Sequence, residues 1–220
     1  MHALGILVII AYLLWVAPKY GENRKRVLFC GLLCYAFVYI IMLGLYALVK
    51  GYFGGQNVIR AFIFLPLLVI LFSKLTGVDM KKMQDIAAPG IPIAQCIAKI
   101  GCQYVGCCRS WLCVEWGIFN KHTGTRLFPV QLLEGAVAGI VVLMTLLFAK
   151  KRNYQAQGLC MPYVLVLFGG TRFFLEFLRD NQKVFFGISE LALWCAAMVI
   201  CGGIWFAVYR HRRRKEINYE

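Results

Sequence analysis

The chain is short of charge, and shortest of acid. Only 15% of its 220 residues are charged, with 10 acidic against 24 basic side chains. A soluble domain is usually about half apolar and about a quarter charged. Here 61% is hydrophobic and the mean hydropathy is +0.70. A large soluble domain is therefore excluded, and an integral membrane protein remains. Histidine is scarce too: His122 and His211 lie outside the apolar segments and His2 at the outer edge of the first. No Ser-His-Asp arrangement can be assembled from membrane positions. No C-x-x-C occurs, which argues against a thiol–disulfide oxidoreductase and against the C-x2-C pairing of a zinc site. No repeat, low-complexity stretch or linker divides the chain, so a single transmembrane bundle over residues 1–220 is expected. Residues 3–17 are apolar but lack a preceding basic residue and a small-x-small cleavage site, and are read as a retained membrane helix.

Long apolar runs are what the chain does have. They cover roughly 2–17, 27–49, 58–73, 86–102, 132–149, 158–178 and 187–208. Several fall short of the ~20 residues of an upright span. The fourth contains Pro89, Pro92, Gln95 and Lys99, so it must be shielded by protein or line a wet cavity. The expected fold is all-α: a polytopic membrane protein with seven transmembrane helices.

The net charge of +14 is not a nucleic-acid footprint, because of where it lies. Fifteen basic residues follow the odd-numbered helices: Lys19, Arg24–Arg26, Lys74, Lys81, Lys82, Lys150–Arg152, Arg210 and Arg212–Lys215. Six lie in the alternate connections, and Arg60, Lys99 and Arg172 sit inside apolar segments. The positive-inside rule then predicts an external amino terminus and a cytoplasmic carboxyl terminus. The basic tail, from about residue 209, would rest on anionic lipid heads. The longest polar connection, at about 103–131, is external, and no nucleic-acid partner is expected.

Candidate site residues concentrate on that external side. Arg172, Glu176 and Arg179 are spaced four and three apart and share one helix face. The plainer reading is a surface ladder whose arginines snorkel to lipid phosphates. Arg172 lies a turn or more deeper, where ionisable groups are costly and mark function. Two guanidinium forks held by a carboxylate suit a phosphate. Lys99 is followed by Gly101 and Gly106, which permit close backbone approach to a ligand, although a lone lysine near a helix end more often snorkels. Arg109 adds charge in the loop. Gln131 and Glu134 lie one turn apart after Pro129; a helix start with a favourable dipole is the plainer account. Arg60 and Glu190 fit snorkelling and a helix-end dipole. Cys102, Cys107, Cys108 and Cys113 crowd into the spacing C-x4-C-C-x4-C. They suit disulfides in an oxidising compartment or small packing residues, a structural rather than a catalytic use.

Several separated motifs together resemble the bacterial prolipoprotein diacylglyceryl transferases. Phe168-Gly169-x-x-Arg172-Phe173-x-x-Glu176-Phe177-x-Arg179 is similar to that family's Tyr-Gly-x-x-Arg-Phe-x-x-Glu-Phe-x-Arg. Pro129-Val130-Gln131-Leu132-Leu133-Glu134 is similar to Pro-Ser/Val-Gln-Leu-Tyr-Glu, and Trp116-Gly117 to a preceding Trp-Gly pair. Asp85-x-x-Ala88-Pro89 and Lys99-Ile100-Gly101-Cys102 match Asp-x-x-Ala-Pro and Gly-Arg-Ile-Gly-Asn/Cys. The chain departs at Lys99 (arginine in the family), Cys102 (usually asparagine), Cys107 (acidic) and Leu133 (tyrosine). It lacks the His-Gly-Gly or Tyr-Gly-Gly element, the nearest text being Gly54-Gly55-Gln56-Asn57-Val58-Ile59-Arg60.

The resemblance implies transfer of a diacylglyceryl group from phosphatidylglycerol to the lipobox cysteine of a preprolipoprotein, forming a thioether. It implies catalytic roles for Arg172, Glu176 and Lys99. Substrate contacts would come from Arg179, Gly101, Cys102, Arg109, Gln131, Glu134 and Gly169. The partners would be phosphatidylglycerol, signal peptides of preprolipoproteins and the lipid bilayer. The chain would be a monomer in the bacterial inner membrane, and the transfer chemistry requires no metal or organic cofactor. Three other classes fit parts of the sequence. They are a non-catalytic or transport protein keeping the lipid pocket, a related lipid transferase with another acceptor, and a thiol-redox protein using the clustered cysteines.

Overall fold

A computed structural model describes residues 2–50, 62–120, 123–155, 157–180, 183–185 and 187–218. Arg60, His122 and the Gly54–Ile59 stretch lie outside the described residues, as does the start of the third apolar segment. The helices are α1 (His2–Val16, followed by a 3-10 turn at Ala17–Tyr20), α2 (Arg24–Lys50), α3 (Leu65–Thr76), α4 (Met80–Ala87), α5 (Gly90–Val105), α6 (Val130–Lys151), α7 (Cys160–Glu176) and α8 (Glu190–Asn218).

The all-α expectation needs amending. Two small antiparallel pairs accompany the helices: β1 (Cys113–Asn120) with β2 (Thr125–Leu127), and β3 (Lys183–Phe185) with β4 (Ile188–Ser189). The long connection between α5 and α6 is thus largely a hairpin, and it begins at Gly106 because α5 continues through Val105. Gly117 explains part of the Trp116-Gly117 motif, because a Cβ there would stand 2.5 Å from the Leu127 carbonyl oxygen. The fourth apolar segment is also not one helix. It breaks between Ala87 and Gly90, with Pro89 capping α5. Pro92 is tolerated because the first turn of a helix has no intrahelical use for its N–H groups.

Three described helical segments are long and apolar enough to cross a membrane: Ala3–Tyr20, Val130–Lys151 and Glu190–His211. Leu67, Leu71, Leu143, Leu147, Ile200 and Ile204 all face outward and exposed, whereas Val69, Met161, Phe168 and Met198 fill the interior. Apolar residues on both sides of a helix are stable when the outer side meets lipid. The fold is therefore a mostly helical membrane protein. Helices α7 and α8 pack closely: a Cβ on Gly202 would lie 2.9 Å from the Pro162 carbonyl oxygen, and one on Gly169 would lie 3.0 Å from that of Cys195.

The basic connections meet at one end of the bundle. Lys82 pairs with Glu22 at 3.0 Å, the Lys19 ammonium donates to Tyr154 at 3.5 Å, and the Tyr209 hydroxyl donates to Gln157 at 3.1 Å. Asp85 organises this end. Its buried carboxylate accepts the backbone N–H groups of Gln157 (3.1 Å), Gly158 (3.0 Å) and Cys160 (2.7 Å), so it fixes the start of α7. The Asp85-x-x-Ala88-Pro89 motif is scaffold at this point. Asp85→Ala should lower stability by about 3 kcal/mol or more, since three charge-assisted bonds are lost and buried donors are left unmet. Thermal unfolding in detergent would read this; a midpoint equal to the parent's would refute the capping role.

From that end α7 carries Arg172 about 18 Å and Glu176 about 24 Å away, at ~1.5 Å per residue. There the α5–α6 loop is stitched to the segment after α7. Ser110 donates to the Leu178 carbonyl at 2.7 Å, Trp111 to that of Phe177 at 2.9 Å, and the Asp180 N–H to that of Arg109 at 3.0 Å. The polar site therefore sits opposite the basic end.

Candidate active site

Glu134 is the hub of this site. It stands in the second turn of α6, where Gly135 lets α5 approach: a Cβ at Gly135 would already be 3.5 Å from the Lys99 Cβ. One Glu134 oxygen, Oε2, pairs with the Lys99 ammonium. The other, Oε1, takes Arg172 Nη1 at 2.8 Å and faces Arg179 Nε at 3.7 Å. Glu176 Oε2 meets Arg172 Nη2 and Arg179 Nη1, both at 3.3 Å. Every one of these five side chains is at most 8% exposed.

Three cations against two carboxylates leave one positive charge in excess. Burying an uncompensated charge costs several kcal/mol, so the site favours an anion. The donors for one are present. The buried Nε–H groups of Arg172 and Arg179 have no hydrogen-bond acceptor among the described residues. Cys108 lies at the rim. A hydrogen bond from Cys102, together with the charges of Lys99 and Arg179, pushes its thiol down to about 5 against the opposing effect of burial.

Beside the rim lies a cleft of about 290 Å³, lined by Gly106, Arg109, Ser110, Phe119, Phe128 and Gln131 among others. Gln131, one turn before Glu134, is buried and donates through Nε2 to the Cys107 carbonyl at 2.8 Å. It links the cleft wall to the charged cluster.

The structure thus brings together Arg172, Glu176, Lys99, Arg179 and Glu134, with Gln131 adjacent. Gly101 and Cys102 lie half-buried in the last turns of α5. Gly169 has a packing explanation, its face being pressed against α8. Arg109 stands apart from the cluster. It pairs with Asp180 at 3.2 Å, and both side chains are about half exposed, at 44% and 51%. Such pairs contribute ~0–1 kcal/mol. Arg109→Ala should therefore change turnover less than about threefold, against orders of magnitude for Arg172→Ala; a loss comparable to that of Arg172→Ala would bring Arg109 back into the site. Glu190 begins α8 and accepts the Trp194 indole N–H at 3.3 Å.

Sequence reasoning missed Ser189. Its hydroxyl donates to Glu176 Oε1 at 3.0 Å and accepts the Ala192 N–H at 3.2 Å, so it caps α8 and steadies Glu176 together. A serine directly before an acidic residue and a long apolar run is the signal that could have found it.

A mostly helical bundle that buries a cluster of three cations and two carboxylates at one end defines the class: a membrane protein with a buried polar site. The family profile described as prolipoprotein diacylglyceryl transferase matches residues 1–209, and the chain belongs to that family. It is similar to the phosphatidylglycerol–prolipoprotein diacylglyceryl transferase 2 of Clostridium perfringens (strain 13 / Type A), at 25% identity over 145 residues, 63% of this chain and 56% of that protein. It is also similar to the phosphatidylglycerol–prolipoprotein diacylglyceryl transferase of Dehalococcoides mccartyi, at 24% identity over 175 residues, 74% of this chain and 65% of that protein. With the enzyme of that name from Clostridium tetani it shares 23% identity over 233 residues, 97% of this chain and 93% of that protein. The chain spans less than two thirds of the length of the first two.

Proposed function

We propose that this chain is a transferase that moves the diacylglyceryl group of phosphatidylglycerol onto the lipobox cysteine of a preprolipoprotein. The observation that carries this reading is the buried cluster with one positive charge in excess and two free guanidinium N–H donors. A phosphodiester headgroup is a monoanion available at a membrane boundary.

The acceptor thiol gives up its proton, which leaves with the departing glycerol phosphate or passes to water, and its sulfur attacks the glyceryl carbon that bears the phosphate ester. A carbon–sulfur bond forms, and the carbon–oxygen bond to phosphate breaks. The bonding electrons leave on that oxygen, so a phosphodiester carrying one negative charge becomes glycerol phosphate carrying up to two. Charge therefore grows on the phosphate during the reaction. Prearranged cations in a water-poor site are worth most where charge develops. Arg172 and Arg179 present the forks and Lys99 the third cation. Glu134 and Glu176 hold all three in place beforehand, and Ser189 steadies Glu176. Both oxygens of Glu134 are engaged with cations, which assigns it to organising them rather than to taking the thiol's proton. The acyl chains remain in lipid, and no metal or organic cofactor enters these steps.

The wider reading is a seven-span protein with the cluster on the external face of a bacterial inner membrane and the basic tail in the cytoplasm. Phosphatidylglycerol and signal peptides of preprolipoproteins are the proposed partners of a monomer. Expression in a bacterium depleted of its own transferase should restore growth and lipoprotein maturation. A folded, membrane-inserted protein that restores neither would favour a lipid-binding protein without transfer activity.

A further inference from the structure

We propose that Cys102, Cys107 and Cys108 form a binding site for one thiophilic d10 metal cation, of the Zn²⁺ or Cu⁺ kind, separate from the transfer chemistry. The three sulfur atoms all lie within 4.8 Å of one another. Metal–sulfur bonds of about 2.3 Å in a trigonal centre put their sulfurs roughly 4 Å apart, so a small inward movement of side chains closes the site. Soft thiolates select this class of ion.

Local backbone geometry brings the trio together. Helix α5 ends at Gly106, whose φ of 75° turns the chain back and whose N–H donates to the Cys102 carbonyl. Cys108 follows with a φ of 59°, a left-handed conformation that non-glycine residues seldom adopt. Two left-handed residues within three positions fold Cys107 and Cys108 back over the last turn of the helix, and the Cys107 thiol reaches the Cys102 carbonyl at 3.7 Å. Strain at a non-glycine position needs a return, and a metal centre closed by that turn supplies one.

Bound as three thiolates, the trio gives a centre with one net negative charge around Zn²⁺ and two around Cu⁺. No histidine, carboxylate or fourth cysteine joins the trio among the described residues. Zn²⁺ would therefore keep an open fourth position, whereas Cu⁺ would be satisfied by three sulfurs. The ion would lock the turn whose Cys107 carbonyl holds Gln131 at the cleft.

The test uses the full chain, purified in detergent under reducing, metal-free conditions and titrated with Zn²⁺ or with Cu⁺. One ion should bind per chain. Alkylation mapped by mass spectrometry should show Cys102, Cys107 and Cys108 protected, with the exposed loop residue Cys113 still labelled. Cys102→Ala, Cys107→Ala and Cys108→Ala should each weaken binding by about tenfold or more, and Cys113→Ala should not. If an alanine variant fails to fold, the protection pattern of the parent chain decides alone. X-ray absorption would distinguish the ions, showing three sulfurs and one lighter atom for Zn²⁺ or three sulfurs for Cu⁺. Absence of stoichiometric binding, binding with the trio still alkylated, or a disulfide within the trio would overturn the proposal. No result depends on whether the chain catalyses transfer.

Discussion

Arg172→Ala should lower the rate of diacylglyceryl transfer by about 10²–10³-fold, the range for losing one prearranged donor to a developing anion. Arg172 contacts both carboxylates of the cluster, with Nη1 on Glu134 and Nη2 on Glu176, and still keeps its Nε–H free. That is three separate uses of one planar fork. Arg172→Lys keeps the charge but offers a single point, so it cannot bridge both carboxylates and also face a phosphate. It should recover no more than about a tenth of the lost rate. The measurement is lipidation of a lipobox peptide at equal levels of folded protein. A lysine variant at parental rate would reduce Arg172 to a source of charge alone, and an alanine variant at parental rate would remove it from the reaction.

Glu134→Ala should have the largest effect on the folded state, about 3–5 kcal/mol, the usual cost of breaking a buried ion pair from one side. Arg172 and Arg179 would then keep only Glu176, and Lys99 would have no carboxylate within ion-pair reach among the described residues. A second substitution separates charge from cavity. Lys99→Met in the Glu134→Ala background removes the orphaned cation and should return part of the lost stability, a coupling that only interacting neighbours show. Thermal unfolding in detergent measures both variants. If the double variant is less stable than Glu134→Ala by the full cost of Lys99→Met alone, the two residues act independently and the hub role fails.

How far the sequence foretells this site depends on the range of each contact. Arg172 and Glu176 were legible because helical spacing puts them on one face; Arg179 lies past the end of α7, where turns keep its N–H on the Glu176 carbonyl, and the structure pairs both arginines with Glu176 at 3.3 Å. Lys99 and Glu134 were each noticed, but not their pairing. That contact depends on α5 passing close to α6 over Gly135, a tertiary fact with no local signature. Arg109 looked equivalent to the other cations by charge and by side of the bundle. Only the fold of the loop shows it turned to Asp180 at the surface. The β1–β2 hairpin was hidden within what read as one long polar connection, and Gly117 shows its role only against the Leu127 backbone. The cysteine spacing matched no linear metal pattern because left-handed Gly106 and Cys108, not helical periodicity, bring the sulfurs together. Asp85 was visible as part of a motif, yet its three backbone partners lie more than seventy residues away.

The most direct measurement reconstitutes the purified chain in vesicles of phosphatidylglycerol, or of phosphatidylcholine as control, and adds a lipobox peptide. Mass spectrometry of the peptide is paired with an assay of released glycerol phosphate. In phosphatidylglycerol the peptide should gain one diacylglyceryl group through a thioether, with one glycerol phosphate released per peptide modified. The control vesicles should give neither, and Arg172→Ala should suppress both products together. An unmodified peptide in phosphatidylglycerol vesicles with folded protein, or equal modification in both lipids, would contradict the account.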